Sequence, residues 1–312
     1  MKHALVLLAL VAVVACGAPQ ETAEEATTEK LTVVATTTIV ADAVRQIAGD
    51  SVEVVALMGA GVDPHLYKPS AGDVRRLSSA DAVFLNGLHL EGKMGEVLEQ
   101  IGERGVSSFP IAECIAEDQL IVVEEGAKTH DPHAWFDVAL WTGAVTCVAE
   151  ALAELDPDNI PFYAERRQAY VAELNALDAE VRAAVATIPE DQRVLVTAHD
   201  AFAYFGRAYG LEVRGLLGIS TAAEAGAADV QDLADFIAER KIPAVFVESS
   251  VPRRTIDALR EAVAARGHEV AMGGELYSDA LGSPGTPAET FVGTVRANVS
   301  TIVTALGGEI AP

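Results

Sequence analysis

The chain has 312 residues, which is enough for two lobes of ordinary domain size or for one large α/β domain. Half of the residues are apolar, so a well-filled core is possible, and 46 Asp and Glu against 22 Lys and Arg give a formal net charge of −24. This acidity argues against a nucleic-acid-binding protein, which usually carries a basic patch. It is compatible with a cation ligand, although an acidic balance more often serves solubility.

The N-terminus is typical of an exported protein. Residues 1–15 have a basic start, an apolar run too short to span a bilayer as a stable helix, and small residues before Cys16. The stretch "VVAC" resembles the lipobox of bacterial lipoproteins, which implies a lipoprotein signal peptide over 1–15 and a lipid anchor on Cys16. The alternative is an ordinary signal peptide with a chance cysteine. Residues 16–29 are small, polar and acidic, which predicts a flexible tether, and no later segment is expected to cross a membrane.

Two further cysteines, Cys114 and Cys147, follow in the mature chain. An exported protein can pair them, but they fall in elements predicted to be separate, which gives no geometric support for a bond. Two buried free thiols are therefore the preferred interpretation, and pairing stays open.

From Lys30 onward, β-branched and apolar runs alternate with segments of helical spacing. Strands are predicted at 31–38, 51–58, 81–87 and 106–111, and helices at 39–49, 70–80 and 94–105. Ser70 is the expected N-cap of the second helix, with Asp73 three residues later. This alternation predicts a mostly parallel sheet with helices on its faces.

Residues 158–188 interrupt the alternation, because they form one charged and apolar helical segment that is longer than a crossover needs. Strands are then predicted at 193–198, 211–217, 244–250 and 268–274, with helices at 201–210, 228–241, 253–267 and 288–306. The predicted fold class is α/β, with two (β/α) lobes of mostly parallel sheets joined by one long linker helix. The predicted boundaries are 30–157 for the N-terminal lobe, 158–190 for the linker helix and 191–312 for the C-terminal lobe.

The sequence Asp-Pro-His occurs twice, at 63–65 and at 131–133, and each copy has an aromatic residue, Tyr67 or Trp135, two positions later. Proline fixes its own φ and biases the preceding residue away from helix, so each turn is stiff and holds its imidazole at little ordering cost. The two aspartates are expected to brace these turns, and the two aromatic rings are expected to exclude water from a common site.

Four candidate metal ligands lie at the carboxyl ends of predicted strands, where open parallel sheets bind their ligands. They are His65, His133, His199 and Asp279. Three imidazoles and one carboxylate suit a first-row divalent cation; there is no sulfur ligand for Cu(I), and there are too few oxygens for Ca²⁺. A single histidine in a loop is more often an ordinary surface or hydrogen-bonded residue, and this interpretation is kept for His130, His89 and His268. The alternative for His130 is a transient ligand at the rim of the metal site.

The chain resembles the metal-binding lipoproteins of bacterial zinc and manganese ABC importers, the cluster 9 or ZnuA-like solute-binding proteins. The resemblance runs from about Leu31 to the C-terminus. It is carried by "DPHLYKPS", "NGLHLEGKM", "DPHAWFD", "VTAHDAFAYFGRAYG", "FVESSVPRRTIDALREA" and "LYSDALG", which together are highly specific.

This resemblance implies two lobes joined by a rather rigid helix, with one metal ion bound between them by the four candidate ligands. Glu248 and Trp135 are expected to support the ligands, although Glu248 can equally be a helix-cap acid. The third ligand is His199, where manganese-selective relatives often have Glu, and Zn²⁺ outranks Mn²⁺ in intrinsic affinity for such a set. The segment before the second ligand is short and acidic, however, whereas many dedicated zinc binders have a long His-rich loop there. Zn²⁺ is therefore expected first and Mn²⁺ second.

The function expected from these observations is that of a membrane-tethered, non-enzymatic receptor. It captures one metal ion outside the cytoplasm, in the periplasm or on the outer face of the cytoplasmic membrane, and delivers it as a monomer to an ABC permease. One alternative is a zinc-dependent hydrolase, but a catalytic site keeps a position open for water and the sequence has no H-E-x-x-H helix. The other alternative is a surface adhesin with a structural metal.

Overall fold

The structure, a computed structural model, describes residues 30–124 and 129–310. The predicted signal peptide, Cys16 and the predicted tether lie outside these residues. The predicted fold class is confirmed, because the described chain forms two α/β lobes with a long helix between them.

The first lobe is a four-stranded parallel sheet with helices between its strands. The strands pair in the order β2-β1-β3-β4. The elements are β1 Leu31–Ala35, α1 Thr38–Ala48, β2 Val52–Ala56, α2 Ala71–Ser78, β3 Ala82–Leu85, α3 Gly95–Glu103 and β4 Ser107–Pro110. Each corresponds to a predicted segment, so the apolar spacing was sufficient to find them.

Helix caps determine where two of these helices begin. The Thr37 hydroxyl accepts a hydrogen bond from the Val40 amide, so α1 begins at Thr38 and the last three residues of the strand predicted at 31–38 are not strand. Ser70 and Asp73 form the predicted reciprocal capping box at the start of α2.

The segment between the first sheet and the long helix contains a short antiparallel pair that the sequence did not predict. It consists of β5 Val122–Glu124 and β6 Thr129–His130, followed by α4 Val138–Leu155. The Asp137 carboxylate accepts a hydrogen bond from the Leu140 amide and so caps α4, which fixes the chain directly after the second Asp-Pro-His turn.

The second lobe contains two pairs of parallel strands. β7 pairs with β8 and β9 with β10, while β7 and β9 lie side by side. The elements are β7 Val194–His199, α6 Ala203–Tyr209, β8 Glu212–Leu217, α7 Ala227–Arg240, β9 Ala244–Glu248, α8 Arg254–Ala264, β10 Ala271–Leu276 and α9 Phe291–Ala305. Every residue of β7 and β9 is buried, as expected for parallel strands covered on both faces.

The long helix α5, Ile160–Val185, packs against both lobes along its 26 residues. It contacts α1 and α4 on the side of the first lobe and α6 and α9 on the side of the second. One buried apolar cluster includes Val33 of β1, Leu174 of α5, Leu195 of β7 and Phe291 of α9, so the core is continuous through the lobes. The predicted long helix is confirmed, while the lobe boundaries at 30–157, 158–190 and 191–312 stay predictions.

Helix α4 corrects the expectation that no later segment is apolar enough to span a membrane. By length and composition Val138–Leu155 could do so. In the fold it is a core helix instead: it packs against α1 and α5, and Trp141, Val145 and Val148 are fully buried in the continuous core. Its apolar composition is therefore explained by packing between other helices.

The preferred interpretation of two buried free thiols was wrong. Cys114 and Cys147 form a disulfide bond with their Cα atoms 6.1 Å apart. Cys114 ends a short 3₁₀ turn after β4, and α4 returns along this turn and brings Cys147 to it. Cys114 is exposed and Cys147 half-buried, so neither is a core thiol. Tertiary packing, which the separate predicted elements did not show, makes the pair.

Candidate metal centre

Four buried side chains that the sequence placed at strand ends meet between the lobes. They are His65, His133, His199 and Asp279, here called the His3Asp cluster, and one nitrogen or oxygen atom of each lies within 4.8 Å of those of the others. Both His133 Nε2 and His199 Nε2 are 3.4 Å from Asp279 Oδ1. These distances are those of donors arranged around a common point.

The topology of the sheets brings these residues together. His65 follows β2, His133 follows β6, His199 is the last residue of β7 and Asp279 follows β10. Carboxyl ends of parallel strands share one edge of a sheet, which places His65 at this edge of the first sheet and His199 and Asp279 at this edge of the strand pairs of the second lobe. His133 instead follows a strand of the short antiparallel pair and reaches the cluster from there. The interlobe hydrogen bond from Trp135 Nε1 to the Ser278 carbonyl, at 3.2 Å, fixes the two edges relative to each other.

Both Asp-Pro-His turns are built in the same way. Asp63 Oδ1 accepts a hydrogen bond from the His65 amide at 2.9 Å, and Asp131 Oδ1 accepts one from the His133 amide at 2.9 Å. An aspartate that bonds to the backbone two residues later makes an Asx turn, and the intervening proline restricts the backbone further. Each Asp-Pro-His turn thus fixes the direction of its imidazole ring.

Two of the imidazoles are also oriented by a buried carboxylate. His133 Nδ1 lies 2.7 Å from Asp131 Oδ1, and His199 Nδ1 lies 2.5 Å from Glu248 Oε2. A carboxylate on Nδ1 keeps a proton on that nitrogen, which leaves the Nε2 lone pair for a metal ion. Glu248 also accepts a bond from the His199 amide at 2.8 Å, so it holds both the ring and the backbone of that residue.

The donor atoms of the His3Asp cluster fit a metal ion. His65 is 4% exposed and the other three residues are 0% exposed. His65 Nε2, His133 Nε2, His199 Nε2 and Asp279 Oδ1 are all buried without a hydrogen-bond partner among the described residues. Because a buried polar atom without a partner is costly, four of them directed at one point indicate a site made for a cation.

The charges of the cluster follow from burial and from the neighbouring carboxylates. Burial lowers the pKa of His65 to about 4, so this residue is neutral at pH 7. Burial also opposes the charged form of His133, but the Asp131 and Asp279 carboxylates outweigh it and raise the pKa to about 9. The same balance, with Glu248 and Asp279, raises the pKa of His199 well above its usual value. Without a metal ion, His133 and His199 are therefore both protonated at pH 7, beside the carboxylates of these neighbouring residues.

Asp279 is the oxygen donor of the cluster. Burial favours its neutral form, but the neighbouring His199 and His133 outweigh this and hold the pKa of Asp279 well below its usual range. Its second oxygen, Oδ2, accepts a hydrogen bond from the Ser250 hydroxyl at 3.0 Å. Ser250 was not singled out in the sequence, because a serine two residues after a strand carries no signal of its own.

The aromatic residues after the two turns have different roles. The Trp135 ring lies edge-on to His133, with the ring centroids 5.1 Å apart, and is 2% exposed, so it covers one side of the His133 ring. Tyr67 does not line the cluster: its hydroxyl donates to Asp73 Oδ2 at 2.9 Å, at the start of α2. Tyr67 therefore holds the chain after the first turn against the capping box of α2. The expectation that both aromatic rings exclude water from the site is corrected for Tyr67.

Three other histidines that the sequence raised are not members of the cluster. His89 is exposed, with a φ of 65°, and His130 lies half-buried in β6. His268 Nε2 is 2.9 Å from the Ile242 carbonyl, outside the cluster. These positions agree with ordinary surface or hydrogen-bonded histidines.

The chain is similar to known metal-binding proteins over nearly its whole described length. The family described as "ZnuA: Zinc-uptake complex component A periplasmic" matches residues 33–305. The chain belongs to this family. It is 53% identical over 275 residues to "Zinc-binding protein TroA" of Treponema pallidum (strain Nichols), and the aligned region covers 88% of each chain.

Two further similarities support the assignment to the ZnuA family. The chain is 47% identical over 303 residues to "Manganese-binding lipoprotein MntA" of Bacillus subtilis (strain 168), covering 97% of this chain and 98% of that one. The solved structure of "periplasmic zinc binding protein TroA" from Treponema pallidum superposes with a TM-score of 0.87 at 51% identity, covering 89% of this chain and 99% of that one. The expected resemblance to the substrate-binding proteins of metal ABC importers is confirmed.

Proposed function

We propose that the protein binds one divalent transition-metal ion, Zn²⁺ in preference to Mn²⁺, through His65, His133, His199 and Asp279. The observation that carries this proposal is the convergence of four buried donor atoms that have no partner among the described residues. The ion is the cargo of the protein, which belongs to a family of importer components.

The preference for Zn²⁺ rests on the donor set. Three imidazole nitrogens and one carboxylate oxygen match the ligands that zinc takes in proteins, and Zn²⁺ exceeds Mn²⁺ in affinity for the same site in the Irving–Williams order. The relatives do not decide between the metals, since one is named for zinc and the other for manganese. Manganese is therefore the second candidate.

Delivery and location follow from the family. We infer that the protein presents its metal ion to an ABC permease from the extracytoplasmic face of a membrane, held there by lipid on Cys16. Relatives named as lipoproteins support this anchor. We also infer that the protein acts as a monomer, because each chain by itself supplies all four donors of the His3Asp cluster.

The same donor set favours a receptor over an enzyme. A catalytic zinc site keeps one coordination position for water or substrate, whereas a site closed by four protein ligands does not. All four residues are at most 4% exposed, so a substrate cannot reach a bound ion without displacing a ligand. Peptidase or esterase turnover by the zinc-loaded protein would contradict this part of the proposal.

The continuous core favours small lobe movements during capture and release. α5 packs on both lobes, and α9 of the second lobe packs back onto α1 of the first. Wide closure would break this buried apolar packing, so loop shifts near the cluster are the expected motion. Small-angle scattering with and without zinc should give nearly the same radius of gyration, and a change of several ångströms would contradict it.

The test is competitive loading of the metal-free protein with equal Zn²⁺ and Mn²⁺, followed by elemental analysis. Wild type should hold one zinc per chain, His199→Ala should lose most of it, and the control His268→Ala should not, because His268 lies outside the cluster. Preferential loading with manganese would overturn the metal assignment alone. No stoichiometric metal would overturn the receptor proposal.

A further inference from the structure

Some of the hydrogen bonds that join the two lobes define a first and a second side of the His3Asp cluster. On the first side, the buried Trp135 donates from Nε1 to the Ser278 carbonyl at 3.2 Å, and the Leu281 amide donates to Thr38 Oγ1 at 2.8 Å. On the second side, the Thr221 hydroxyl donates to Asp63 Oδ2 at 2.6 Å. Thr221 belongs to the loop 218–226 between β8 and α7, and Asp63 belongs to the first Asp-Pro-His turn. The second contact thus links a loop of one lobe to the turn that holds a candidate ligand.

Cavities border the second side, whereas Trp135 and Leu281 on the first side are each 2% exposed. A cavity of about 390 Å³ separates the loop 218–226 from the beginning of α8, and Asp63, Thr221 and Pro252 are among the residues that line it. A second cavity, of about 520 Å³, lies on the other face of the same loop, beside Asp200 and Arg214. The loop can therefore move without displacing tightly packed atoms, which is not possible around the buried Trp135.

His65 is the ligand that depends most on this contact. The described residues place no carboxylate within ion-pair distance of its ring, whereas Asp131 and Glu248 hold the rings of His133 and His199. Its backbone is held by Asp63 Oδ1, and the other oxygen of that carboxylate is the one bonded to Thr221. The next residue, Leu66, is 45% exposed, so His65 is also the ligand nearest to solvent.

We propose that Thr221 is a positioning residue for the metal site, which acts through Asp63 on His65 and limits how fast the ion leaves. The hydroxyl bond holds the Asp63 carboxylate in the orientation that fixes the turn, and its loss lets His65 withdraw while the other three ligands stay braced. The ion then leaves on the side of the two cavities. This inference rests on the proposed metal binding by the His3Asp cluster.

The test uses Thr221→Val, which removes the hydroxyl and keeps the branched shape, and Thr221→Ser, which keeps the hydroxyl. The matched control is Thr255→Val, since Thr255 lines the same cavity and its hydroxyl has no hydrogen-bond partner among the described residues. Each protein is loaded with Zn²⁺, and release to excess chelator is followed in a stopped-flow instrument. The melting temperature without metal is measured in parallel.

Thr221→Val should release zinc about tenfold faster than wild type, which corresponds to about 1.4 kcal/mol and is the size of one hydrogen bond to a charged group. Thr221→Ser and Thr255→Val should release it at the wild-type rate. In a His65→Ala background, Thr221→Val should have no further effect, because the residue through which it acts is gone. All melting temperatures without metal should stay close to those of the parent proteins.

Equal release rates for wild type and Thr221→Val would overturn the inference while leaving the receptor proposal intact. The same conclusion would follow if Thr255→Val were as fast as Thr221→Val, if serine failed to restore slow release, or if the effect persisted without His65. A wild-type protein that binds no zinc would overturn both proposals together, so the two failures are distinguishable.

Discussion

The contact between Glu248 and His199 allows a sharp test of how the site orients its ligands. Glu248 is 3% exposed, and its two oxygens accept hydrogen bonds from the amide and from Nδ1 of His199. Glu248→Gln keeps the shape but has one acceptor oxygen where two are needed. If the side-chain NH₂ of the new glutamine donates to His199 Nδ1, the ring proton moves to Nε2, and Nε2 can then no longer bind a metal ion.

The expected loss of zinc affinity is between tenfold and a hundredfold, the usual effect of removing a carboxylate behind a ligating histidine. This corresponds to about 1.4 to 2.7 kcal/mol, in agreement with one buried hydrogen bond to a charged group. Competition against a chelator of known zinc affinity measures it. The control is Glu269→Gln, the same substitution at an exposed glutamate. An affinity for Glu248→Gln within twofold of wild type, in a folded protein, would refute the orienting role.

Three further perturbations test the cluster and the fold. Zinc binding at pH 7 should release about two protons per ion, because the raised pKa values of His133 (about 9) and His199 keep both rings protonated without metal. The apparent zinc affinity should therefore rise with pH towards about 9. Calorimetry in buffers of different ionisation enthalpy counts the released protons. Ser250→Ala should weaken zinc binding by roughly three- to tenfold in the same chelator competition, because Asp279 Oδ2 loses its hydroxyl donor; unchanged affinity would contradict this role. Reduction of the Cys114–Cys147 bond should lower the free energy of unfolding by about 3 to 4 kcal/mol in a urea titration, since the bond closes a loop of 33 residues, and Cys147→Ser should be unaffected by reductant.

The proton count has a simple electrostatic reason. Without metal, two imidazolium protons lie among the buried carboxylates Asp131, Glu248 and Asp279. A divalent ion brings the same charge that these two protons carry, so the exchange leaves the net charge of the buried cluster unchanged. A change in the buried charge is costly, and this exchange avoids such a change.

The sequence by itself determined which elements form and where the candidate ligands lie along them. Apolar spacing predicted the eight longer strands, and Ser70 and Asp73 marked a helix start. The placement of His65, His199 and Asp279 after parallel strands predicted a common site, while His133 was expected directly after the fourth strand and follows the antiparallel β6 instead. These features depend on local backbone preference and on the rule that parallel strands share their carboxyl edge, and both can be read from neighbouring residues.

Only the tertiary structure decided which distant side chains meet. The Cys114–Cys147 bond, the Glu248 contact to His199 and the Thr221 bond to Asp63 join residues 33, 49 and 158 positions apart. Apolar α4 became a core helix because α1 and α5 cover it. A single sequence shows what each segment prefers, but contacts of this range depend on how the packed elements are oriented, and that orientation is a property of the whole core.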